Sequence, residues 1–350
     1  MIAALCIALA LAAPAGDPCL NVSARTTAVD CQGHDGDPDP EVLDLTRITK
    51  AQKLTSITID GFGVASLEPL RQLPGLTTVR LASVGALDLG PLAALTKLSQ
   101  LDLGGLAAGS LACVAGAHEL AVLNINDGSL TGFDGLAGKH LRLVSLYHTT
   151  TAGVLPDTTI EELALSGTGI TDLRVLGAVH GVTALTLSEP GLASLAGLER
   201  LGELRSLTIS DTSKLVDVSA IAKLPKLQRL SLMRTPAVEL RPVTTLSGLT
   251  YLVIEGAPLT DASWLARSPA LEVVSLADTK VADASALAAL TEVKSINLAR
   301  TAVADVTMLA TLPELMYLIV TGAPAASAAT AKAVAKARPK KAVALTVTWQ

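Results

Sequence analysis

The stretch LEVVSLADTKVADASALAAL, residues 271–290, contains one complete structural unit. Its first six residues alternate between the two sides of an extended chain, as a short β-strand requires. Leu287 and Leu290 are apolar and three residues apart, which indicates a short helical turn. The stretch therefore predicts a strand, a turn and a short helix-like return.

The same unit recurs thirteen times along the chain at a nearly constant interval. The units start at Leu54, Leu76, Leu98, Leu120, Leu141, Ile160, Val182, Leu204, Leu227, Leu249, Leu271, Val293 and Leu315. The successive spacings are 22, 22, 22, 21, 19, 22, 22, 23, 22, 22, 22 and 22 residues. Because one unit cannot cover its own apolar face, the units must stack, and their strands then form one long parallel sheet.

Two lines of the repeat, LALSGTGITD at residues 163–172 and INLARTAVAD at residues 296–305, carry a family resemblance. The pattern resembles the leucine-rich-repeat family over residues 54–322, in the short bacterial 22-residue type found in internalins. This resemblance implies an α/β solenoid that is curved, with the parallel sheet on its concave face and short helical or 3-10 returns on its convex face.

The position that follows each strand departs from the family pattern. The family usually has Asn there, whose amide bonds the backbone at the turn. This chain has Phe62, Val84, Leu106, Gly128, Thr149, Thr168, Pro190, Thr212, Thr235, Ala257, Thr279, Thr301 and Ala323. Threonine can donate one hydroxyl bond but cannot form a two-sided amide ladder, so we expect main-chain groups and water to satisfy more of these turns.

The amino-terminal segment is typical of an export signal. Residues 2–13 are apolar, and Ala13, Pro14 and Ala15 offer small side chains for cleavage before Gly16. The segment lacks Lys and Arg, so an uncleaved anchor is the alternative. No later run reaches the ~18 apolar residues that a membrane span needs. We therefore expect a signal peptide at residues 1–15 and a mature protein that is secreted or held at the cell envelope.

Two cysteines lie just before the first repeat unit. In an oxidising compartment Cys19 and Cys31 should form a disulfide, whereas in a reducing cytoplasm they would be free thiols. Residues 16–53 resemble the cysteine-bearing amino-terminal cap of extracellular repeat proteins, with a helix predicted over residues 40–53. Residues 323–350 are predicted to be a carboxy-terminal cap of one helix, over residues 325–337, and one strand, over residues 343–349. Cys113 lies among apolar residues and is predicted to be a buried small hydrophobe.

Composition and motifs argue against catalysis, cofactors and nucleic acid. The net charge is -5, and no basic stripe of the kind that binds nucleic acid is present. Lys332, Lys336, Arg338, Lys340 and Lys341 are interpreted as a solvated helix face. No catalytic or phosphate-binding motif occurs, and His34, His118, His140, His148 and His180 are scattered.

Two short motifs were considered for metal binding and for modification. The acidic run at residues 35–41 suits calcium in composition but fails the EF-hand pattern, because Pro40 stands at the sixth position and Thr46 at the twelfth. We expect a solvated linker there and no metal. Asn21 and Ser23 match a glycosylation acceptor, which matters only in a host that glycosylates.

The exposed strand positions of the concave face are the predicted binding surface. Because aromatic residues make up only 2% of the chain and hot spots favour Tyr, Trp and Arg, the few such residues mark the candidates. The first patch comprises Arg229, Met233, Arg234, Tyr251 and Glu255; the second comprises Asn124, Asn126, Asp127, Tyr147 and His148; Tyr317 lies near the carboxy-terminal end. We expect an unidentified protein partner, a monomeric chain and no catalysis; an envelope structural or carbohydrate-binding role is the alternative.

Overall fold

The computed structural model describes residues 18–33, 42–83, 87–107, 109–237, 239–340 and 342–349. The predicted signal peptide, the acidic run at residues 35–41, His34, Val84 and Lys341 lie outside these ranges. No helix among the described residues is long and apolar enough to cross a membrane.

Nineteen strands are described. In chain order they are β1 (Ala28–Gln32), β2 (Val42–Leu43), β3 (Ser56–Asp60), β4 (Gly63–Val64), β5 (Thr78–Ala82), β6 (Gln100–Gly104), β7 (Gly109–Ser110), β8 (Val122–Gly132), β9 (His140–Thr151), β10 (Thr158–Ser166), β11 (Val179–His180), β12 (Ala184–Ser188), β13 (Ser206–Ser210), β14 (Arg229–Met233), β15 (Tyr251–Glu255), β16 (Val273–Ser275), β17 (Ser295–Asn297), β18 (Tyr317–Ile319) and β19 (Thr346–Thr348).

Seventeen of these strands form one sheet, and all its pairings are parallel. Each repeat unit contributes one strand that pairs with the strands of the units before and after it. The pairing follows the sequence interval: Leu207 lies beside Leu230, and Leu230 lies beside Leu252. Strand β1 precedes the first unit and pairs with β3, while β19 follows the last unit and pairs with β18. Strands β2 and β4 form a separate two-stranded sheet.

The core is a continuous column of aliphatic side chains between the sheet and the returns. In the unit that starts at Leu271, the first, fourth and sixth residues are buried, and so are Leu287 and Leu290 of the return. Residues at the third and fifth positions face away from this core because successive side chains of a strand point to opposite sides. These positions, with the seventh and eighth that follow them, are called the concave face below.

The returns are 3-10 helices in nearly every unit, so the predicted helix-like return is the 3-10 form. The 3-10 segments are Pro18–Leu20, Leu45–Lys50, Glu68–Gln72, Gly90–Ala94, Leu111–Val114, Asp134–Leu136, Leu173–Leu176, Leu198–Arg200, Ser219–Lys223, Arg241–Thr245, Ser263–Arg267, Ser285–Ala289 and Thr307–Thr311. The single helix predicted over residues 40–53 was wrong: Leu45–Lys50 is a short 3-10 segment preceded by strand β2.

An aspartate just before the 3-10 segment caps the start of many of these returns. The carboxylate of Asp283 accepts a hydrogen bond from the amide N–H of Ser285 at 2.8 Å, and Asp305 does the same for Thr307 at 2.8 Å. Such a bond satisfies an amide that has no partner in the turn before a helical segment. It also lowers the pKa of both carboxyl groups, because the backbone bond favours the ionised form.

The shortest unit, which starts at Leu141, has a different return. Strands β8 and β9 run on past their bend, and Gly128 and Leu130 pair with Thr149 and Thr151. After β9, residues 152–157 contain no helical segment. This 19-residue unit is three residues shorter than the usual 22. An extended return is the conformation that spans the same path with fewer residues.

Both ends of the sheet are covered by non-repeat chain. Cys19 and Cys31 form a disulfide with Cα atoms 5.2 Å apart, which ties the first 3-10 segment to β1. At the other end, the α-helix α1 (Ala328–Ala337) begins after Ser327, whose hydroxyl accepts from the amide of Thr330 at 3.0 Å. Trp349 is half-buried against the last core layer.

Candidate functional site

The eighth residue of a unit follows the core part of its strand. In twelve of the thirteen units this residue has a φ angle in the left-handed region. This row of residues, called the left-handed row below, comprises Gly61, Ser83, Gly105, Asp127, His148, Gly167, Asp211, Arg234, Gly256, Asp278, Arg300 and Gly322. Seven of them are not glycine. A left-handed conformation costs such a residue ~1 kcal/mol or more, so the side chains at these positions need compensating contacts.

Six of the seven, all but Ser83, form acid–base pairs between neighbouring units. Arg234 donates from Nε and Nη2 to the two carboxylate oxygens of Asp211 at 2.6 and 2.8 Å. These bonds lower the pKa of the Asp211 carboxyl. On the next layer stands Gly256, where an added Cβ would lie only 3.0 Å from the Cγ of Arg234. A side chain at this glycine would therefore press on the arginine stem that packs across it.

The same order of an acid, a base and a glycine at the eighth positions of three successive units occurs twice more. Arg300 binds both oxygens of Asp278 at 2.5 Å, and an added Cβ at Gly322 would lie 3.0 Å from its Cγ. His148 lies with Nδ1 3.4 Å from an oxygen of Asp127, and its ring packs on Gly167. The left-handed row thus carries three acid–base pairs along one margin of the concave face.

The structure brings the first predicted patch together. Arg229 is the direct neighbour of Tyr251 across β14 and β15, and its guanidinium carbon lies 4.5 Å from the centre of the phenol ring. Met233 is the neighbour of Glu255 on the same strands. Arg234 of this patch belongs to the left-handed row. A depression of about 370 Å³ is lined by Ser206, Leu207, Thr208, Arg229, Leu230, Ser231, Met233, Tyr251, Val253 and Glu255.

The second predicted patch is also contiguous. Asn126 is the direct neighbour of Tyr147 across β8 and β9, and the ring of Tyr147 lies 4.0 Å from that of His148. Tyr147 is 46% exposed, so one large aromatic side chain projects from the sheet. Asn124 is turned away from this aromatic pair and donates to Asp102 at 2.6 Å.

The fold agrees with solved structures of known repeat proteins. An internalin of Listeria monocytogenes is similar over 93% of this chain and 87% of its own, with a TM-score of 0.63 and 17% identity. A leucine-rich-repeat protein of Leptospira interrogans is similar over 93% of this chain and 90% of its own, with a TM-score of 0.59 and 17% identity. The chain has the leucine-rich-repeat fold. No protein-family model matches the sequence, and comparison with curated proteins finds no match.

One cluster of the leucine-rich-repeat concave face was missed in the sequence. The carboxylate of Asp102 accepts from Arg80 Nε at 2.8 Å, Gln100 Nε2 at 2.9 Å and Asn124 Nδ2 at 2.6 Å. Arg80, Asp102 and Asn124 stand at the fifth position of three successive units. Opposite charges that recur 22 residues apart were the signal that could have identified this cluster.

Tyr317 belongs to neither patch. It lies on β18, where its direct neighbours are Ser295 and Thr346, and it is 54% exposed. The structure therefore presents two separate patches and one isolated tyrosine.

The remaining histidines and the cysteine at position 113 lie in separate places along the described ranges. No group of three His, Cys, Asp or Glu residues that could hold a metal occurs there. His118, His140 and His180 are exposed. Cys113 is buried and packs on the first turn of its return, with Sγ 3.6 Å from the carbonyl oxygen of Ser110. Burial raises the pKa of the Cys113 thiol to about 11, so this residue is a core side chain with little thiolate.

Proposed function

We propose that this protein is an exported, non-catalytic scaffold that holds a protein partner on the concave face of its repeats. The observation that carries the proposal is the stacking of Arg229 on Tyr251 at the edge of a depression in that face. Tyr and Arg are the residues that dominate the binding energy of protein interfaces, above all when they line a pocket. The stack presents both at adjacent positions of two neighbouring strands.

Export is supported by two independent features. Residues 2–13 are apolar and are followed by small residues, as in a secretory signal. Cys19 and Cys31 form a disulfide, and such bonds persist mainly outside the cytoplasm. We infer that the mature chain is secreted or held at the cell envelope.

A non-catalytic role is supported by the state of the titratable groups. Asp127 and His148 are the best-placed acid–base pair of the concave face, at 3.4 Å. Both side chains are more than half exposed. An acid and a base in open water, without a third group to attack a substrate, do not make a reaction centre.

The proposal is tested by capture and mapping with the mature chain. The immobilised protein is incubated with an extract of cell-surface proteins, and the captured protein is then identified. Hydrogen–deuterium exchange of the purified complex shows which face is covered. We expect protection on β13, β14 and β15 and at least a tenfold loss of affinity for Arg229→Ala and for Tyr251→Ala.

Arg267→Ala is the matched control. Arg267 is an exposed arginine at the end of a 3-10 return, on the opposite side of the core from the sheet. Its replacement should leave the affinity unchanged. Protection confined to the returns, or equal binding by wild type and by Arg229→Ala and Tyr251→Ala, would reject this patch as the binding site.

A carbohydrate-binding role is the second candidate, and one observation favours it. Tyr147 is exposed beside the amide of Asn126 and the imidazole of His148. The carboxylate of Asp127 lies 3.4 Å from that imidazole. A sugar ring could stack on such a platform while its hydroxyls bond the polar groups. A glycan array probed with wild type and with Tyr147→Ala tests this role; an array without any signal removes it.

A further inference from the structure

Ion pairing separates the four arginines of the concave face into two kinds. Arg80, Arg234 and Arg300 each bind an aspartate of a neighbouring unit, at 2.8, 2.6 and 2.5 Å. Arg229 is exposed and has no carboxylate within 4 Å among the described residues; its guanidinium lies over the ring of Tyr251. The other three arginines are neutralised by aspartates of the protein itself, whereas the guanidinium of Arg229 keeps its hydrogen-bond donors for a ligand.

The nearest acid of the patch does not serve Arg229. Glu255 stands at the seventh position of its unit, whereas Arg229 stands at the third, so the two are separated along the strands by ~13 Å. Glu255 accepts a hydrogen bond from Ser275 at 2.5 Å. It also interacts electrostatically with Arg234 and with Arg300. The carboxylate of Glu255 therefore has partners at its own end of the depression. The guanidinium of Arg229, at the other end, has no acidic partner among the described residues.

The side chains that line the depression between Arg229 and Glu255 indicate which chemical groups a ligand needs besides a carboxylate. Val253 lies between the two ends, with the hydroxyls of Thr208 and Ser231 beside it, and Met233 lies next to Glu255 at the far end. A methionine and a valine favour an apolar group. A guanidinium is planar and can bind a carboxylate through two parallel hydrogen bonds, and that of Arg229 lies over the ring of Tyr251.

We propose that the depression accepts a segment of the protein partner that carries an Asp or Glu side chain next to an apolar one. The carboxylate binds Arg229, and the apolar side chain packs on Met233 and Val253. This inference rests on the proposed function, because it names the partner chemistry of the same site. A single unpaired arginine favours a carboxylate over a phosphorylated residue, since phosphate-binding sites in proteins use clusters of arginines.

A displayed library of random peptides tests the inference without knowledge of the natural partner. The library is selected on the wild-type protein, and the selected peptides are sequenced and synthesised. We expect Asp or Glu to be enriched at one position beside an apolar residue. In the synthetic peptides, Asp→Asn or Glu→Gln at that position should weaken binding about tenfold or more, because charged hydrogen bonds are lost.

The protein variants give the reciprocal measurement. Arg229→Gln should cause a similar loss and should reduce the dependence of binding on salt, whereas Arg267→Gln should change neither. In a double-mutant cycle, the peptide change should cost little once Arg229 has been replaced. Circular dichroism of each variant verifies the fold.

The outcomes separate this inference from the proposed function. Selected peptides that lack an acid, or acidic peptides that bind Arg229→Gln as well as wild type, would overturn the inference. If such peptides still lose binding to Tyr251→Ala, the concave face remains the binding site and only the partner chemistry is wrong. Peptides that are insensitive to both replacements and protect only the returns from hydrogen exchange would overturn both.

Discussion

Thr235 and Thr301 occupy the same position of two repeat units, and only Thr301 has a hydrogen-bond partner. Both are buried, at 2% and 6% exposure. The hydroxyl of Thr301 donates to the carbonyl oxygen of Leu298 at 2.7 Å, as that of Thr279 does to Leu276 at 2.6 Å. The hydroxyl of Thr235 has no partner. The position at which the family has asparagine is thus satisfied unevenly along this solenoid.

This difference predicts opposite responses to the same substitution. Valine replaces the hydroxyl with a methyl group of similar size. Thr301→Val should lower the free energy of unfolding by about 1–2 kcal/mol, because the carbonyl of Leu298 loses its side-chain donor. Thr235→Val should be neutral or stabilising, because it removes an unsatisfied buried hydroxyl. Urea unfolding at neutral pH measures both; equal destabilisation by the two variants would contradict the assignment.

A wholly buried carboxylate supports the turn of the neighbouring unit, and its loss should open that turn. Glu189 accepts hydrogen bonds from the amide and hydroxyl of Thr168 at 2.8 and 2.7 Å and from the amide of Gly169 at 3.1 Å. Glu189→Gln replaces one acceptor oxygen with a donor group, which should cost about 1–3 kcal/mol.

Hydrogen exchange checks the effect of this substitution. The amides of Thr168 and Gly169 should lose protection in Glu189→Gln. Glu162→Gln, at an exposed strand position, is the control and should leave the exchange of both amides unchanged. Protection of Thr168 and Gly169 that survives Glu189→Gln would show that Glu189 does not hold the turn.

The acid–base pairs of the left-handed row should make part of the stability depend on pH. Hydrogen bonds from Arg300 and Arg234 lower the pKa of Asp278 and of Asp211 in the folded chain below the ordinary range of an aspartate. Their stabilisation is therefore present above pH ~4 and is lost as the pH falls through the lowered folded pKa.

Asp278→Asn tests this pH dependence. The variant should be slightly less stable than wild type at pH 6, by less than Thr301→Val, because exposed pairs are screened by solvent. The difference from wild type should shrink at pH 2–3 in urea unfolding. A difference that stays constant between the two pH values would exclude this contribution.

The basic cluster near the carboxy terminus was interpreted as solvated, and for Arg338 this was wrong. Its guanidinium donates to the carbonyl oxygens of Leu312 at 2.8 Å, Leu315 at 2.5 Å and Val343 at 2.9 Å. These bonds fasten the terminal segment to the last repeat, where the return leaves carbonyl groups without partners.

Arg338→Met should loosen the end of the solenoid. The amide of Thr346, which binds the carbonyl of Met316 at 2.8 Å, should exchange faster, and proteases should cleave the terminal segment sooner. Lys336→Met, on the exposed face of α1, is the control and should leave both measurements unaffected. If Arg338→Met and Lys336→Met have equal effects, the cause is the loss of a positive charge and not the loss of the hydrogen bonds to the carbonyl groups.

Cys113, the one cysteine outside the disulfide among the described residues, should be inert in the folded protein. Cys113 is buried, and its pKa is raised to about 11 mainly by desolvation. Iodoacetamide at pH 8 should therefore leave it unmodified in native buffer and alkylate it readily in concentrated urea, as mass spectrometry can show. Rapid alkylation of the native protein would contradict this burial.

The spacing of aliphatic residues determined the number of repeats, the parallel order of the strands and the face on which each side chain lies. A strand such as β16 forms three residues into the unit that begins at Leu271, as the alternation predicted. These properties follow from geometry within one unit, where the periodicity of the backbone decides which residues are buried. The sequence also marked Arg229 and Tyr251 as adjacent because they stand at the same position of successive units.

Only the tertiary structure decided which polar groups found partners. Three features depend on how far each layer is shifted and tilted against the next. They are the hydrogen bonds from Arg338 to the carbonyls of the last repeat, the burial of Glu189 and the unpaired hydroxyl of Thr235. Such contacts join residues about one unit apart and turn on tenths of an ångström in hydrogen-bond length, whereas the aliphatic pattern specifies only the side of the strand. For the same reason, the sequence placed Arg229 on the concave face, and the layers around it left that cation without an acid.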